Sequence, residues 1–452
     1  MRTFSIHTLG CKVNQYESQQ VRQLLEQAGL THVLPSQKAD LAIFNTCCVT
    51  GAASAKSRNS IRRVQKSNPA AVIVVCGCLP SIQTDELKIN GKIHLIKDRR
   101  TLAYDLSRMI SGGFENTDPQ RTAIKTEEHA KSKSKNNLCG RLQLPRLTSF
   151  KGHSRAFLKV QDGCDGYCSY CIIPKTRPQL DSMPVEAAMQ EAAALAGSGH
   201  KEIVLTGIFL GAFGQDTVRR KDWPERQNGL LAELLDKIAE EPGLERIRLS
   251  SLEPADVTEG LLDCFRRHSN IMPHLHLSLQ SGSNRILKRM CRQYDADQFR
   301  QKVDLIRSML DRPAITADII VGFPGETEED FQETVEMAKQ TGFSKMHVFA
   351  FSPRKHTAAA NYPDQVIAKV AKQRSEILRR LDVKLGHDFR EQFIGQTAAV
   401  LIEDAGLRPS GLSERYFTVY LDKELKVQKN DIVTVRLTAN TKDGMRGEIV
   451  IG

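Results

Sequence analysis

The 452-residue chain carries 64 Lys and Arg against 53 Asp and Glu, a net charge of +11, together with 11 cysteines. No run of about 18 apolar residues offers a membrane span, and the first thirty residues lack the charged start, apolar core and small-residue site of a secretory leader. A membrane protein and a disulfide-stapled secreted domain are therefore set aside for a soluble, cytoplasmic chain whose cysteines are reduced and open to metal or redox chemistry. The positive excess implies a polyanionic partner, or else a basic surface that is merely solvated.

In chain order, "TFSIHTLG", "ADLAIFN", "AAVIVVCG" and "KIHLIK" read as strands, alternating with the helical "QYESQQVRQLLEQAG", "AASAKSRNSIRRVQKS" and "RTLAYDLSRMI". This pattern predicts a doubly wound parallel α/β domain over residues 1–113. Cys11 follows the first strand, Cys47 and Cys48 the second, and Cys76 and Cys78 the third. In such a sheet the strand C-termini share one edge, where ligands bind, so these thiols should converge. The plainer alternative is that they are small buried hydrophobes. Adjacent residues of an extended segment point to opposite sides, so Cys47 and Cys48 cannot both face one ligand without a sharp turn. Residues 114–149, polar and basic with "KSKSKNN" inside, read as a linker.

Six further strands, "RAFLKVQ", "EIVLTGI", "RIRLSSL", "HLHLSLQ", "ITADIIVG" and "KMHVFAF", are separated by helical stretches. They predict a (βα)6 partial barrel over residues 150–388, with its chemistry in the loops after the strand C-termini. The first of these loops, "DGCDGYCSYCIIP", holds Cys164, Cys168 and Cys171 with no fourth cysteine at a matching interval. Three thiolates can hold three corners of a four-iron cluster and leave one iron open to a small molecule, whereas electron-transfer clusters usually have four. Zinc binding and simple burial are the alternatives. Residues 389–452 turn to short strand-like pieces and predict a small antiparallel β-barrel. From residue 390 onward nine Lys or Arg balance nine Asp or Glu, so charge gives this segment no argument for RNA binding.

CxxxCxxC after a strand resembles the signature of the radical S-adenosylmethionine (SAM) enzymes, in which the open iron binds SAM. Tyr170 fits that signature, and "HLHLSLQSGS" (Ser278, Gln280, Ser281) and "VGFPGET" (Gly322, Gly325, Glu326) resemble its SAM contacts. With "LGCKVNQYES", "NTCCVTGAASAKSR", "VVCGCLP", "FSPRKHTAA" and "GLSERYFTV", nearly the whole chain resembles the methylthiotransferases, and most closely their branch acting on threonylcarbamoyladenosine in tRNA. That resemblance implies a C-terminal TRAM domain and two [4Fe-4S] clusters, one on Cys11, Cys47 and Cys78 and one on Cys164, Cys168 and Cys171. Cys48, Cys76, Cys139, Cys264 and Cys291 fall outside it.

It also implies SAM as cofactor, tRNA as partner, an electron donor such as flavodoxin or ferredoxin, and a sulfur donor that the sequence does not identify. The implied reaction is radical methylthiolation at C2 of the modified adenine. Isopentenyladenosine in tRNA and a ribosomal-protein aspartate are the substrates of the other branches, and a non-catalytic iron–sulfur RNA-binding protein is the alternative of a different class. Two departures stand out: "KTRPQLDSMP" after the cysteine loop keeps only Arg177 of the family's pattern, and His356 stands where the family commonly has Gly. Basic clusters at Lys56 to Lys66, Lys131 to Lys159, Arg285 to Arg292 and Lys369 to Arg380 are candidate phosphate contacts.

Overall fold

The computed structural model describes residues 1–82, 93–112, 143–219, 229–421 and 427–450. Cys139 and most of the expected linker lie outside them. The chain divides into two compact units, Met1–Leu147 and Thr148–Gly452.

The first unit is built on five parallel strands, β1 (Thr3–Thr8), β2 (Thr31–His32), β3 (Leu41–Thr46), β4 (Val72–Gly77) and β5 (Ile93–Leu95), in the order β2-β1-β3-β4-β5. β3 is buried along its whole length and β4 at all but its last residue, which is why both read as continuous apolar runs rather than alternating ones. The helices are α1 (Lys12–Gln27), α2 (Gly51–Ser67) and α3 (Leu102–Gly112). Val21 and Leu25 of α1 and Leu106 of α3 pack with Phe4, Ile43, Val74 and Cys76 in one core. Right-handed crossovers place α1 and α2 on opposite faces, because one steps leftward from β1 and the other rightward from β3. β2 was not expected from the sequence: two residues are too few to carry a periodic signal. It nevertheless sets the topology, since it makes β1/β3 the point where strand order reverses, the place where such sheets bind ligands.

In the second unit all six expected strands are present: β6 (Arg155–Asp162), β8 (Glu202–Gly207), β9 (Arg246–Leu249), β10 (His274–Gln280), β11 (Ala314–Val321) and β12 (Lys345–Ala350). They run parallel, with β9 and β10 joined through the isolated bridges Ile247 to Ile271 and Leu252 to Leu277. The two-residue β7 (Asp181–Ser182) lies antiparallel on the carboxyl end of β6. The long helix α10 (Ala368–Glu391) packs on β12, where Asp382 accepts from the Met346 N–H at 2.7 Å; α4 to α9 (Val185–Gly197, Gly229–Ala239, Glu259–Arg267, Asn284–Arg289, Ala296–Met309, Glu328–Thr341) fill the connections between strands.

The last strands, β13 (Thr397–Asp404), β14 (Ser410–Ser413), β15 (Thr418–Leu421), β16 (Ile432–Asn440) and β17 (Met445–Ile449), close into a barrel in the order β13-β14-β15-β17-β16. The expected antiparallel barrel contains one parallel pair, β15 with β17. A closed ring of five strands cannot alternate direction all the way round, so one such pair is unavoidable. This barrel seats on the amino ends of the six parallel strands. Arg246 and Arg248, fully buried, donate to the carbonyls of Ala399, Leu412, Ser413 and Glu414 at 2.6 to 3.0 Å, and Glu202 binds Arg248 at 2.8 Å. Tyr416 stacks on His274 with ring centroids 4.3 Å apart.

Among the described residues no helix is long and apolar enough to cross a membrane.

Candidate active site

The loop after β6 carries Cys164, Cys168 and Cys171, all partly buried. Its entrance is held by an ion pair: Arg177, fully buried, donates to both oxygens of Asp162 at 2.8 and 3.1 Å, and its carbonyl accepts from the Cys164 N–H at 2.9 Å. Gly163 has φ +80 there, and a Cβ on it would meet the Gln179 carbonyl oxygen at 1.7 Å, so only glycine lets the 175–183 segment cross so closely. Ser169 ties the loop to its neighbours, its N–H donating to Met290 O at 3.0 Å, its hydroxyl to Arg289 O at 2.8 Å, and its carbonyl accepting from the Ala359 N–H at 2.8 Å. The segments that follow β6, β10 and β12 are thereby tied together.

Tyr170 packs against Phe323, edge to face at 6.4 Å, which brings the cysteine loop to the Gly322 to Glu326 turn after β11. Gly322 and Gly325 have φ of +72 and +79. Glu326 is buried and accepts from the Gly322 N–H at 2.6 Å and from Arg374 at 2.7 Å, so its carboxylate braces the turn. At the end of β10, Gln280 adopts φ +64, a region costly for a residue with a side chain, beside a register shift between Leu277 and Gln280. Ser281 is fully buried, its hydroxyl shared with Thr334 at 3.3 Å and the Ser283 N–H at 3.2 Å. The Ser278 carbonyl accepts from the Tyr294 hydroxyl.

A buried cation adjoins the cysteines. Arg292 donates to Cys168 Sγ at 3.1 Å, to the Tyr170 hydroxyl at 3.3 Å and to the Tyr294 hydroxyl at 3.2 Å, and it is paired with Glu253, which closes the loop after β9. The sequence suggested Arg292 and Arg374 as phosphate contacts; both are instead 7% exposed or less at the side chain and neutralised by Glu253 and Glu326. Lys56, Arg62, Arg63 and Lys66 on α2, and Lys369, Lys372, Arg379 and Arg380 on α10, do face solvent.

In the first unit Cys11 is the N-cap of α1, Cys47 follows β3 and Cys78 follows β4. One peptide links their supports. Thr46 O, next to Cys47, accepts from the Cys78 N–H at 2.9 Å and from Asn14 Nδ2 at 3.2 Å, while Asn14 Oδ1 accepts from the Cys11 thiol at 3.2 Å. Asn14 and Asn45, both buried, exchange further bonds of 2.8 and 2.9 Å. Cys76 lies in the apolar core, and Cys48, wholly buried, points its thiol to the Cys78 carbonyl at 3.5 Å.

The radical SAM superfamily model matches residues 158–338, and a model described as uncharacterized protein family UPF0004 matches residues 3–96. The threonylcarbamoyladenosine tRNA methylthiotransferase MtaB of Chlamydia pneumoniae is 36% identical over 99% of this chain and 98% of its own. That of Bacillus subtilis is 36% identical over 94% and 90%. The chain belongs to the radical SAM methylthiotransferases. A tRNA-2-methylthio-N(6)-dimethylallyladenosine synthase of Corynebacterium efficiens is 32% identical over 97% of this methylthiotransferase and 83% of its own length. The radical SAM methyltransferase TsrM of Kitasatospora setae, solved with cobalamin and a [4Fe-4S] cluster, shares the fold at a TM-score of 0.54 and 13% identity, covering 80% of this chain and 77% of that one.

Radical SAM membership implies SAM and a [4Fe-4S] cluster. The cysteine loop of this methylthiotransferase fits such a cluster. Its thiols are met by donors rather than acceptors: Arg292 at Cys168 and the Gly166 N–H at Cys164, 3.3 Å away. Such bonds stabilise thiolates. Burial pushes the Cys164 and Cys171 thiols up to about 12, and Cys168 in the same direction, so a metal must displace their protons on binding. Among the described residues no three His, Cys, Asp or Glu side chains gather around a point that would hold a single metal ion. Glu253, Tyr294, Asn14 and Asn45 escaped the reading from sequence, and Arg292 was read there as a phosphate contact rather than as a neighbour of Cys168. The asparagines lay inside quoted motifs beside Cys11 and Cys47, and that adjacency was the available signal.

Proposed function

We propose that this methylthiotransferase acts on N6-threonylcarbamoyladenosine at position 37 of tRNA and places a methylthio group on C2 of the adenine. The substrate reading is carried by full-length similarity to two enzymes named for threonylcarbamoyladenosine, at 36% identity, above the 32% of the dimethylallyladenosine enzyme. In this reading Cys164, Cys168 and Cys171 hold the SAM-binding cluster, and Cys11, Cys47 and Cys78 hold a second one, with Cys48 and Cys76 left as packing residues. Tyr170, the β10 end at Ser278 to Ser281 and the turn from Gly322 to Glu326 form the walls of the SAM pocket. Strain at Gln280 favours that assignment, because such backbone persists where surroundings hold it for a purpose. The bound clusters and SAM supply the radical that activates C2 and the sulfur that is transferred. The protein's own share is to orient the adenine over the strand ends and to keep water out.

The closed C-terminal barrel is read as a TRAM domain. The solvent-facing cations of α2 and α10 suit the phosphates of a folded RNA. A cytoplasmic enzyme using a flavodoxin- or ferredoxin-type electron donor completes the proposal. The test is to incubate reduced enzyme, SAM and sulfide with tRNA bearing either threonylcarbamoyladenosine or isopentenyladenosine, then digest and weigh the nucleosides. Methylthiolation of the threonylcarbamoyl substrate alone is expected. Reaction of the isopentenyl substrate alone would move the enzyme to the other tRNA branch, and SAM cleavage with neither tRNA modified would point to a protein substrate.

A further inference from the structure

Arg292 is a buried guanidinium, 5% exposed at the side chain, that contacts both a carboxylate and a cysteine sulfur. Its Nη2 serves Glu253, its Nη1 serves Cys168 Sγ and the Tyr170 hydroxyl, and its Nε serves the Tyr294 hydroxyl, with the guanidinium 4.9 Å above the Tyr294 ring. The donor fork is thus fixed on every side, and one N–H is aimed at sulfur although better oxygen acceptors are the rule in proteins. Glu253 is equally constrained: Oε1 goes to Arg292, and Oε2 is buried, with no hydrogen-bond partner for that atom among the described residues. A carboxylate kept half-satisfied in a buried site is costly. A buried pair of this kind gains little over a surface one, and its one N–H aimed at Cys168 Sγ points to a role at the sulfur.

We propose that Arg292 and Glu253 form an oriented charge pair that sets the reduction potential of the cluster held by Cys164, Cys168 and Cys171. Reduction adds one electron, and hence one negative charge, to a centre whose thiolates already carry negative charge. A guanidinium 3.1 Å from Cys168 Sγ stabilises the reduced form more than the oxidised one. Glu253, on the far side of the guanidinium, opposes it. The pair has no net charge, so its effect on the centre comes from orientation, with the positive end fixed at the sulfur by Tyr170 and Tyr294. Arg292 is a positioning residue in this role, since it acts through a cluster ligand.

The inference rests on the assignment of the cluster to this loop and is independent of the RNA substrate. Two measurements keep the failures apart. Cys164, Cys168 and Cys171 exchanged together for Ala tests the assignment through the iron content. Potentiometric titration of the reconstituted full chain, followed by the electron paramagnetic resonance of the reduced SAM-binding cluster, tests the pair. Arg292→Met, which keeps bulk and removes charge, should lower the potential, Arg292→Lys should lower it less, and Glu253→Gln should raise it, all with iron content unchanged. Unchanged potentials in Arg292→Met and Glu253→Gln would overturn the proposal. If Arg292→Met loses the cluster, Glu253→Gln decides alone: a rise upholds the oriented pair and no shift refutes it.

Discussion

The two sets of cysteines are assembled by opposite means. In the second unit Cys164, Cys168 and Cys171 come from one loop, and that loop is held by buried charges: Arg177 with Asp162 at its entrance and Arg292 with Glu253 at its tip. In the first unit Cys11, Cys47 and Cys78 come from three strand ends, and among the described residues a neutral amide network of Asn14, Asn45 and the Thr46 peptide joins them. A single loop can be placed by a few strong directional pairs because its ligands move together. Three separate strand ends need a bridge that touches all of them at once, and an asparagine, with a donor and an acceptor on one short stem, can do that without burying a charge.

The largest effect that would sharpen this contrast is loss of iron. Anaerobic reconstitution is expected to give about eight irons, as two four-iron clusters. Changing Cys164, Cys168 and Cys171 to Ala should remove about half of them and abolish SAM cleavage. Cys47→Ser and Cys78→Ser should each lose the other half, whereas Cys48→Ser and Cys76→Ser should keep the full content. The core position of Cys76 means that its Ser variant costs stability, about 1–3 kcal/mol for a buried hydroxyl, so iron per folded molecule is the measurement. Iron lost with Cys48 or Cys76 but kept without Cys47 or Cys78 would show that the register of the first site is wrong.

Next come the supports. Arg177→Met removes the buried cation from the Asp162 carboxylate, which keeps Lys159 at 3.1 Å, and should cost about 3 kcal/mol. Asn45→Ala breaks the bonds to Asn14 and Ser18 and leaves neutral groups unsatisfied, at about 2 kcal/mol. Denaturant unfolding followed in each unit measures both. A larger loss from Asn45→Ala than from Arg177→Met would reverse the comparison.

How much of this was open to a reader of the sequence depends on distance along the chain. The six barrel strands and the cysteine spacing are local signals, and all six strands are where the periodicity put them. β2, β7 and β14 were missed because segments of two to four residues, rich in Thr, Ser and Gly, carry no alternation. The basic clusters misled at two residues for a different reason. Arg292 and Arg374 look like their exposed neighbours, and their neutralising partners lie 39 and 48 residues away. Charge along a sequence counts cations; only the fold says which are already spent.

The smallest effect separates backbone strain that is incidental from strain tied to function. His356 has φ +74 in the loop after β12, and Gln280 has φ +64 at the end of β10. That angle is one that glycine adopts without penalty. A left-handed residue with a side chain costs roughly 1–2 kcal/mol, and glycine gives back about 0.5–1 kcal/mol as unfolded-chain entropy. His356→Gly should therefore stabilise the protein by about 0.5–1 kcal/mol, read as a higher midpoint in thermal unfolding, with SAM binding unchanged. Gln280→Gly relieves the same strain, but Gln280 is only 9% exposed, so lost packing should cancel part of the gain. If the Gln280 side chain touches SAM, that variant alone should bind SAM more weakly by equilibrium titration of the reconstituted enzyme. Equal SAM affinity in both variants would remove Gln280 from the SAM pocket and leave its strain, like that of His356, a matter of turning the chain.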